Sequence, residues 1–262
     1  MAIDSTLFQA IIPAGTYAAG DIIPLAVVRG PSVVRDGYGE ARLKRIYSIQ
    51  DGASIGHVSI RNSDWSDEMA NIVPAPSAVI LSNNSNAIQQ GHDCNLKKNS
   101  GWDVKYTFDS AITTTNAFSV FLLVDIDYPS VQAVADPKIA KGTPATTVRA
   151  DPYNVVAAGT ALQWQTINVD ILKAGRKYLL ASATFRDSNA AHGFFSISSA
   201  AGQNGLERII PCIPNSSTNL RYVLDYSTPL VKGPFNINYA GIGSTAISST
   251  ALLELDWAMQ TI

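Results

Sequence analysis

The feature that most constrains this fold is the two-residue period of its apolar residues. Ala117–Tyr128 reads AFSVFLLVDIDY, and Thr250–Trp257 reads TALLELDW with apolar and acidic positions in alternation. Such alternation is typical of β-strands, because successive side chains of a strand point to opposite faces of the sheet. Seven more segments have the β-branched, aromatic and alternating composition of strands: His57–Asn62, Val104–Phe108, Gln165–Leu172, Tyr178–Phe185, Phe194–Ser198, Leu220–Tyr226 and Phe235–Tyr239.

Turn signals rich in Gly, Pro and Asn separate these segments, as at Asn99–Gly101 and Gly202–Gly205. Short strands divided by such turns predict an all-β sandwich or barrel. The one helix candidate is Asp64–Asn71, where Asp64 is a possible N-cap and further acids follow in the first turn. The sequence contains no long amphipathic helix. This argues against α/β enzyme folds, because their parallel strands need crossover helices.

The chain is long enough for two β domains, and its middle differs in composition from both ends. Its 262 residues fit one large β domain or two domains of about 130 residues each. The stretch 129–152 carries four Pro and no large aromatic residue, which is typical of an extended linker or arm. We therefore predict an N-terminal β-sandwich at 1–128, a Pro-rich linker at 129–152 and a C-terminal β-sandwich at 153–262.

The two predicted sandwiches show a faint internal repeat. Ile12–Tyr17 resembles Leu172–Tyr178, and GHVSIRNS at 56–63 resembles HGFFSISS at 192–199. Each half then ends in an apolar run that carries two acids. Because the order of these segments is the same, we predict an internal duplication of a β-sandwich. The alternative is chance similarity among strands rich in Ser and Thr.

The composition excludes several classes of protein. Hydrophobic residues make up 46% and charged residues 15%, which is too apolar for a disordered chain. A net charge of -2 gives no general field for phosphate, so we expect no direct nucleic-acid partner. The two cysteines, Cys94 and Cys212, are too few for a disulfide scaffold and are expected to be free thiols. With no secretory signal and no apolar run of membrane-spanning length, we expect a soluble protein made in a cytoplasm.

Sequence motifs that suggest catalysis lack the context that catalysis needs. Gly52–Gly56 matches G-x-S-x-G, but a strand follows it where a nucleophile elbow requires a helix. Gly241–Ala246 matches G-x-G-x-x-A, but too few residues follow it for a dinucleotide-binding unit. The three histidines, His57, His92 and His192, have no metal-ligand spacing. We therefore predict a protein that is not an enzyme, with no catalytic residues, no cofactor and no metal.

Two pairs of acids stand two residues apart, Asp125 with Asp127 and Glu254 with Asp256. On a strand each pair shares one face, so it could bind a hard cation or provide an acid and a base. However, one strand offers only two ligands, and calcium takes six to eight oxygens. Our interpretation is that each pair lies on a solvated outer face, where its charge keeps an exposed strand from aggregating.

The single basic stretch runs from Arg29 to Arg45. It holds five cations against Asp36 and Glu40, so its local charge is 5 − 2 = +3. We predict that it makes an electrostatic contact with an acidic partner surface. The alternative is an ordinary solvated loop and strand edge. The candidate protein-interface residues are Arg29, Arg35, Arg42, Lys44 and Arg45.

Part of this region resembles a known class of proteins. Val27–Ile49, VVRGPSVVRDGYGEARLKRIYSI, followed by HVSIRNSDW at 57–65, resembles virion structural proteins of tailed bacteriophages. More loosely, the whole chain resembles duplicated jelly-roll coat proteins and capsid-decoration proteins, which are similarly β-rich and low in charge. The resemblance implies jelly-roll-like units and a place in the virion capsid after synthesis in the host cytoplasm. It assigns no role to any individual residue.

The function implied by this resemblance is that of a capsid-associated structural protein. It would be a decoration or cement protein that stabilises the shell, or a double jelly-roll coat protein. The sequence lacks the long spine helix usual in tailed-phage major capsid proteins, which argues against that kind of shell protein. The expected partners are other capsid proteins and copies of the chain itself. One alternative is a glycan-binding module of a tail or head fibre, which predicts exposed Trp or Tyr on loops. Another is a β-sandwich glycan hydrolase or lyase, which needs acids that converge from different strands.

Overall fold

A computed structural model of the chain consists of β-strands, turns and bends wherever it is described. The described residues are 2–51, 56–65, 71–74, 89–129, 139–140, 146–149, 164–167, 177–186, 193–199, 206–212, 220–223, 231–232, 235–241 and 252–260. No helix occurs within these ranges. The predicted all-β class is therefore confirmed.

The strands are numbered in chain order. In the first half of the chain they are β1 (Ala2–Ile12), β2 (Gly15–Tyr17), β3 (Ile22–Pro24), β4 (Ala26–Arg29), β5 (Ala41–Asp51), β6 (Gly56–Asn62), β7 (Asn71–Pro74), β8 (Gln89–Leu96), β9 (Trp102–Phe108), β10 (Ile112–Thr114) and β11 (Phe118–Tyr128). In the second half they are β12 (Ile139–Ala140), β13 (Thr146–Arg149), β14 (Gln165–Ile167), β15 (Lys177–Arg186), β16 (Gly193–Ser199), β17 (Glu207–Cys212), β18 (Leu220–Val223), β19 (Val231–Lys232), β20 (Phe235–Gly241) and β21 (Leu252–Gln260).

The strands of the first half form two main sheets. The five-stranded sheet has the order β4-β1-β11-β5-β8, and the four-stranded sheet has the order β3-β9-β6-β7. A short ribbon pairs β2 with β10. The strands of the second half also form two sheets. One has the order β12-β21-β15-β18, with β13 also on β21 and β19 on β15, and the other has the order β14-β20-β16-β17.

Both halves share one strand order, which is that of a jelly roll. In the first half, one sheet contains β1, β5, β8 and β11, and the other contains β3, β6, β7 and β9. Within each sheet, the strand that comes first in the chain lies beside the strand that comes last. The second and third strands of that sheet then follow in order. The second half repeats the same order with β12, β15, β18 and β21 and with β14, β16, β17 and β20. Two sheets of four antiparallel strands with Greek-key connections define a jelly roll. Two jelly-roll-like sandwiches were predicted and are confirmed, whereas a duplication of the sequence stays a prediction.

The chain divides into two compact units. Among the described residues, one unit holds 5–127, and the other holds 2–4, 128–129 and the strands from β12 onward. Within the predicted linker, Ile139–Ala140 and Thr146–Arg149 pair with β21, and apart from Pro129 the rest of 129–152 lies outside the described residues. The domain limits 1–128, 129–152 and 153–262 stay predictions.

The two sheets of the first unit pack face to face. Tyr106 of β9 donates a hydrogen bond across the core to Gln50 Oε1 of β5 at 3.3 Å. The Tyr106 ring also meets Phe118 of β11 edge to face, with 6.5 Å between ring centroids. Every residue of β11 is buried, which explains why its sequence is almost continuously apolar.

The predicted helix at Asp64–Asn71 is wrong at both of its ends. Asp64 lies in a turn, Asn71 begins β7, and 66–70 lie outside the described residues. The turn forms because Asn62 Oδ1 accepts a hydrogen bond from the Asp64 amide at 3.0 Å and Asn62 O accepts one from the Trp65 amide at 2.9 Å. Asn side chains readily stabilise such turns in competition with a helix N-terminus.

Candidate functional site

A buried ion pair holds the centre of the five-stranded sheet. Asp125 on β11 is fully buried, and its Oδ2 accepts a hydrogen bond from Arg45 Nε on β5 at 3.1 Å. Its Oδ1 accepts a second hydrogen bond from Ser5 Oγ on β1 at 2.7 Å. Arg45 keeps 19% of its side chain exposed, and its guanidinium carbon lies 5.8 Å from the centroid of the Tyr47 ring. Three neighbouring strands are thus joined by one carboxylate.

A β-bulge sets the spacing of the charges on these strands. Asp125 lies opposite Arg45 in the β11–β5 register, and Asp127 lies opposite Arg42. The register shifts between these two pairs, so β5 uses one more residue, Lys44, than β11 does over the same length. Acids two residues apart therefore face arginines three residues apart on the same side of the sheet, an arrangement that favours opposite-charge pairs.

The interpretation of Asp125 and Asp127 as a solvated outer face is wrong. Asp125 is 0% exposed and Asp127 is 3% exposed. The alternation of this segment could not reveal the difference, because an acid with a cation across the strand is tolerated in a buried sheet. Glu254 and Asp256 lie in β21, but their side chains are outside the described part of the structure.

The predicted interface residues occupy three different environments. Arg29 ends β4, Arg35 lies in the loop that follows, and the other three lie in β5, an interior strand. Arg42 is exposed and pairs with Glu40, with 2.8 Å between Arg42 Nη2 and Glu40 Oε1. Arg45 is committed to Asp125. The interface role of Arg29, Arg35, Arg42, Lys44 and Arg45 stays a prediction.

The loop before β5 carries its own charge balance. Asp36 Oδ1 accepts a hydrogen bond from the Gly37 amide at 2.7 Å and lies 3.5 Å from Lys98 Nζ. The amide, and next to it the Lys98 charge, lower the pKa of the Asp36 carboxyl below its usual value of 3.8. Lys98 thus balances the charge of Asp36, which lies within the basic stretch. Because Lys98 lies in the turn between β8 and β9, this ion pair also links the loop before β5 to that turn.

A histidine–carboxylate pair lies at the end of the four-stranded sheet, where sequence reasoning did not find it. His57 Nδ1 and Asp109 Oδ1 are 2.6 Å apart, and both side chains are partly exposed. The strand pairing explains their proximity, because His57 lies opposite Thr107 and Asp109 follows two residues later. His92 lies in β8 with its side chain outside the described part, and His192 lies outside it altogether. Within the described residues, no group of three His, Cys, Asp or Glu could hold a metal.

Gly56, the last residue of the G-x-S-x-G match, has a packing role. It begins β6, and a Cβ at this position would come within 2.4 Å of the Tyr106 ring carbon Cζ. The residues 57–62 form the predicted strand, so no helix follows as a nucleophile elbow requires. Residues 52–55 and the G-x-G-x-x-A match beyond Gly241 lie outside the described residues.

Ile22–Arg29 forms a rim strand that passes from one sheet of the first unit to the other. Its Ile23 lies opposite Tyr106 on β9, and its Val27 lies opposite Phe8 on β1, so both face the core. The alternate positions point outward, with Ile22 at 56% and Val28 at 39% exposure. We call these outward residues the rim stripe: Ile22, Pro24, Ala26 and Val28, all of them exposed.

Trp65 and Trp102 pack against each other and do not form an exposed platform of the kind a glycan-binding module would need. Trp65 is 9% exposed, and its ring meets Trp102 edge to face at 6.1 Å. The indole Nε1 atoms of both residues are buried without a hydrogen-bond partner, as is Asn62 Nδ2 nearby.

Within the described residues, no helix is long and apolar enough to cross a membrane. The thiol state of Cys94 in β8 and Cys212 in β17 stays a prediction.

Comparison with known proteins gives no family. No protein-family model and no curated protein matches the chain. Among solved structures, the chain is similar to a chain in the cryo-EM structure of Broad Bean Stain Virus, with 9% sequence identity and a TM-score of 0.29. The match covers 98% of this chain and 90% of the viral chain. The chain is also similar to the cowpea mosaic virus top component (8%, TM-score 0.27, 99% and 91% covered) and to the PBSX exported protein XepA (13%, TM-score 0.25, 96% and 86% covered). At these identities and TM-scores the similarities carry no functional argument.

Proposed function

We propose that this chain is a capsid structural protein of the double jelly-roll type. The observation that carries the proposal is the strand order, which follows the jelly-roll pattern in both halves of one chain. The duplicated jelly-roll coat proteins that the whole chain loosely resembles are built in this way. The resemblance of Val27–Ile49 makes a bacteriophage particle the first place to look for it. An internal duplication of the sequence accounts for the shared strand order.

The distribution of charge supports a structural role. The Arg45–Asp125 pair is used inside the sheet, and Arg42 pairs with Glu40 on the surface. The rim strand instead presents apolar side chains outward. Contacts that are poor in charge and rich in apolar surface are typical of subunit interfaces, so we propose that the chain acts by contact with other capsid subunits.

Light scattering after size exclusion, with negative-stain images of the same fractions, tests this proposal. Closed shells or regular sheets are expected if the chain is a coat protein. Small oligomers that bind added empty capsids indicate a decoration or cement protein instead. A monomer that neither assembles nor binds capsids overturns the proposal.

A contribution of the basic residues to capsid attachment is a separate proposal. Arg35→Ala and Arg42→Ala should weaken attachment to capsids and make it more sensitive to salt, because screening reduces contacts between exposed charges. Arg45→Ala is unsuitable for this test, since it removes the partner of a buried carboxylate. If both variants attach to capsids as strongly as the parent at every salt concentration, these two arginines have no role in attachment.

A further inference from the structure

The loop before β5 contains an Asp–Gly pair, Asp36–Gly37, and the sequence has one other such pair, Asp51–Gly52. In the loop, the backbone amide of Gly37 lies against the carboxyl group of Asp36. We propose that Asp36 is a site of covalent self-modification, where the aspartate isomerises through a cyclic imide to isoaspartate. This chemistry is independent of the capsid role proposed above.

The geometry at this pair brings the two reacting groups together. The Gly37 amide donates a hydrogen bond to Asp36 Oδ1, with 2.7 Å between the nitrogen and the oxygen. The Asp36 side chain is 62% exposed, so water reaches it. Gly37 has a φ of 92°, and no described atom lies within 4 Å of the place that a Cβ would take. A glycine there leaves its nitrogen open and its backbone free to rotate.

The reaction needs no group from outside the chain except water. The Gly37 nitrogen bonds to Cγ of the protonated Asp36 carboxyl, the bond from Cγ to the hydroxyl breaks, and the hydroxyl leaves with the amide proton as water. The product is a five-membered succinimide. Water then adds to one of its two carbonyl carbons. Cleavage of the new N–Cγ bond restores aspartate, whereas cleavage of the original peptide bond leaves isoaspartate, in which the chain continues through Cγ.

The fold tolerates this product because both ends of the loop are fixed without Asp36. Val34 is fully buried, and its amide donates a hydrogen bond to Ser100 O at 2.9 Å. Ala41 is 1% exposed and begins β5. Residues 35–40 between them belong to no strand. Isoaspartate lengthens the backbone by one carbon atom, and loops absorb such a change more readily than strands do.

The groups that face the Asp36 carboxyl restrain the reaction at neutral pH. The Gly37 amide and next the Lys98 charge lower the pKa of this carboxyl, with a smaller contribution from the Asn99 side chain. Only the protonated acid can lose its hydroxyl as water. Isoaspartate should therefore form faster in mildly acidic than in mildly alkaline buffer, and Lys98→Met should increase the rate at neutral pH.

The decisive experiment compares the two Asp–Gly pairs within the same folded chain. Asp51 ends β5 and lies opposite Ser119 in the β-ladder, so ring closure there requires the ladder to open. The full-length protein is aged in neutral buffer and digested with trypsin, which separates the two pairs because basic residues lie between them. Isoaspartate has the mass of aspartate, so electron-transfer fragments and resistance to an endoprotease that cleaves before aspartate identify it.

Asp36 should isomerise about tenfold faster than Asp51 in the folded protein, because exposed loops open more readily than β-ladders. In urea the two pairs should react at similar rates, because the ladder is then absent. Equal rates in the folded protein would show that the dipeptide alone determines reactivity and would overturn the proposal. An Asp36 that stays unmodified when folded but reacts in urea would also overturn it.

Two substitutions of the exposed Asp36 test ring closure itself. Asp36→Glu keeps the charge but requires a six-membered imide, so isoaspartate at this position should disappear. Asp36→Asn forms the same succinimide with release of ammonia in place of water, and it should react faster because an amide needs no prior protonation of a carboxylate. Its product is recognised by a gain in mass. A folded Asp36→Asn variant that stays intact would show that the loop blocks ring closure and would overturn the proposal.

Discussion

Replacement of Arg45 is the change whose effect follows most directly from the structure. Arg45→Met keeps the length of the side chain but removes the ion-pair partner of the fully buried Asp125, whose Oδ1 still accepts a hydrogen bond from Ser5 Oγ. Loss of one partner of a buried ion pair typically costs about 3–5 kcal/mol. Because Arg45 is 19% exposed and water can partly replace it, we expect about 3 kcal/mol.

Lys105→Met, on β9 of the other sheet, is the control. Lys105 pairs with Asp103, but these side chains are 43% and 54% exposed, so the expected cost is below about 1 kcal/mol. Urea unfolding followed by fluorescence should show a lower midpoint at unchanged slope for Arg45→Met and a small shift for Lys105→Met. Equal losses in the two variants would refute the assignment of Arg45 to the core of the sheet.

The double variant Arg45→Met/Asp125→Leu tests the pairing itself. Replacement of a whole buried ion pair by apolar residues is often close to neutral, although Ser5 Oγ would lose its acceptor here. The double variant should therefore be more stable than Arg45→Met alone. Additive losses in the double-mutant cycle would show that the two residues do not interact.

Two further changes test the packing and the loop charges. Gly56→Ala should lower stability by about 1–3 kcal/mol, because its Cβ would lie 2.4 Å from Tyr106 Cζ. Gly15→Ala should have little effect, because the nearest atom to its Cβ would be 3.7 Å away. Thermal unfolding compares the two variants, and equal midpoints would contradict the tight contact at Gly56. Asp36 should titrate below pH 3.8 by NMR, so that its stabilising contribution is present above pH 3.8 and is lost as the pH falls through its lowered pKa. Lys98→Met should raise that pKa only part of the way, because the backbone amide is the larger cause; an unchanged titration would exclude the lysine as a contributor.

Alternation and turn signals were sufficient to predict the fold class. Val104–Phe108 and Phe194–Ser198 were predicted as strands and lie within β9 and β16. The turn at Asn99–Gly101 was also predicted, and Asn99 adopts the left-handed conformation with φ of 61°. These features are local, so nearby residues determine them.

Features that depend on distant parts of the chain could not be predicted in this way. The sequence places Asp125 in an alternating strand but does not show that Arg45, eighty residues away, neutralises it. The exposed side of the rim strand was missed for a related reason. An apolar run such as Ile22–Val28 does not reveal which of its alternate residues will be covered, because that depends on the strands beside it.

Density-gradient purification of virus particles from a culture that produces this chain tests the central proposal most directly. Peptide mass spectrometry across the gradient should find the chain in the particle band, at a constant ratio to the other particle proteins. A ratio near that of the most abundant shell protein would identify a coat or decoration protein. If the chain stays at the top of the gradient while particles band normally, it is not a virion structural protein.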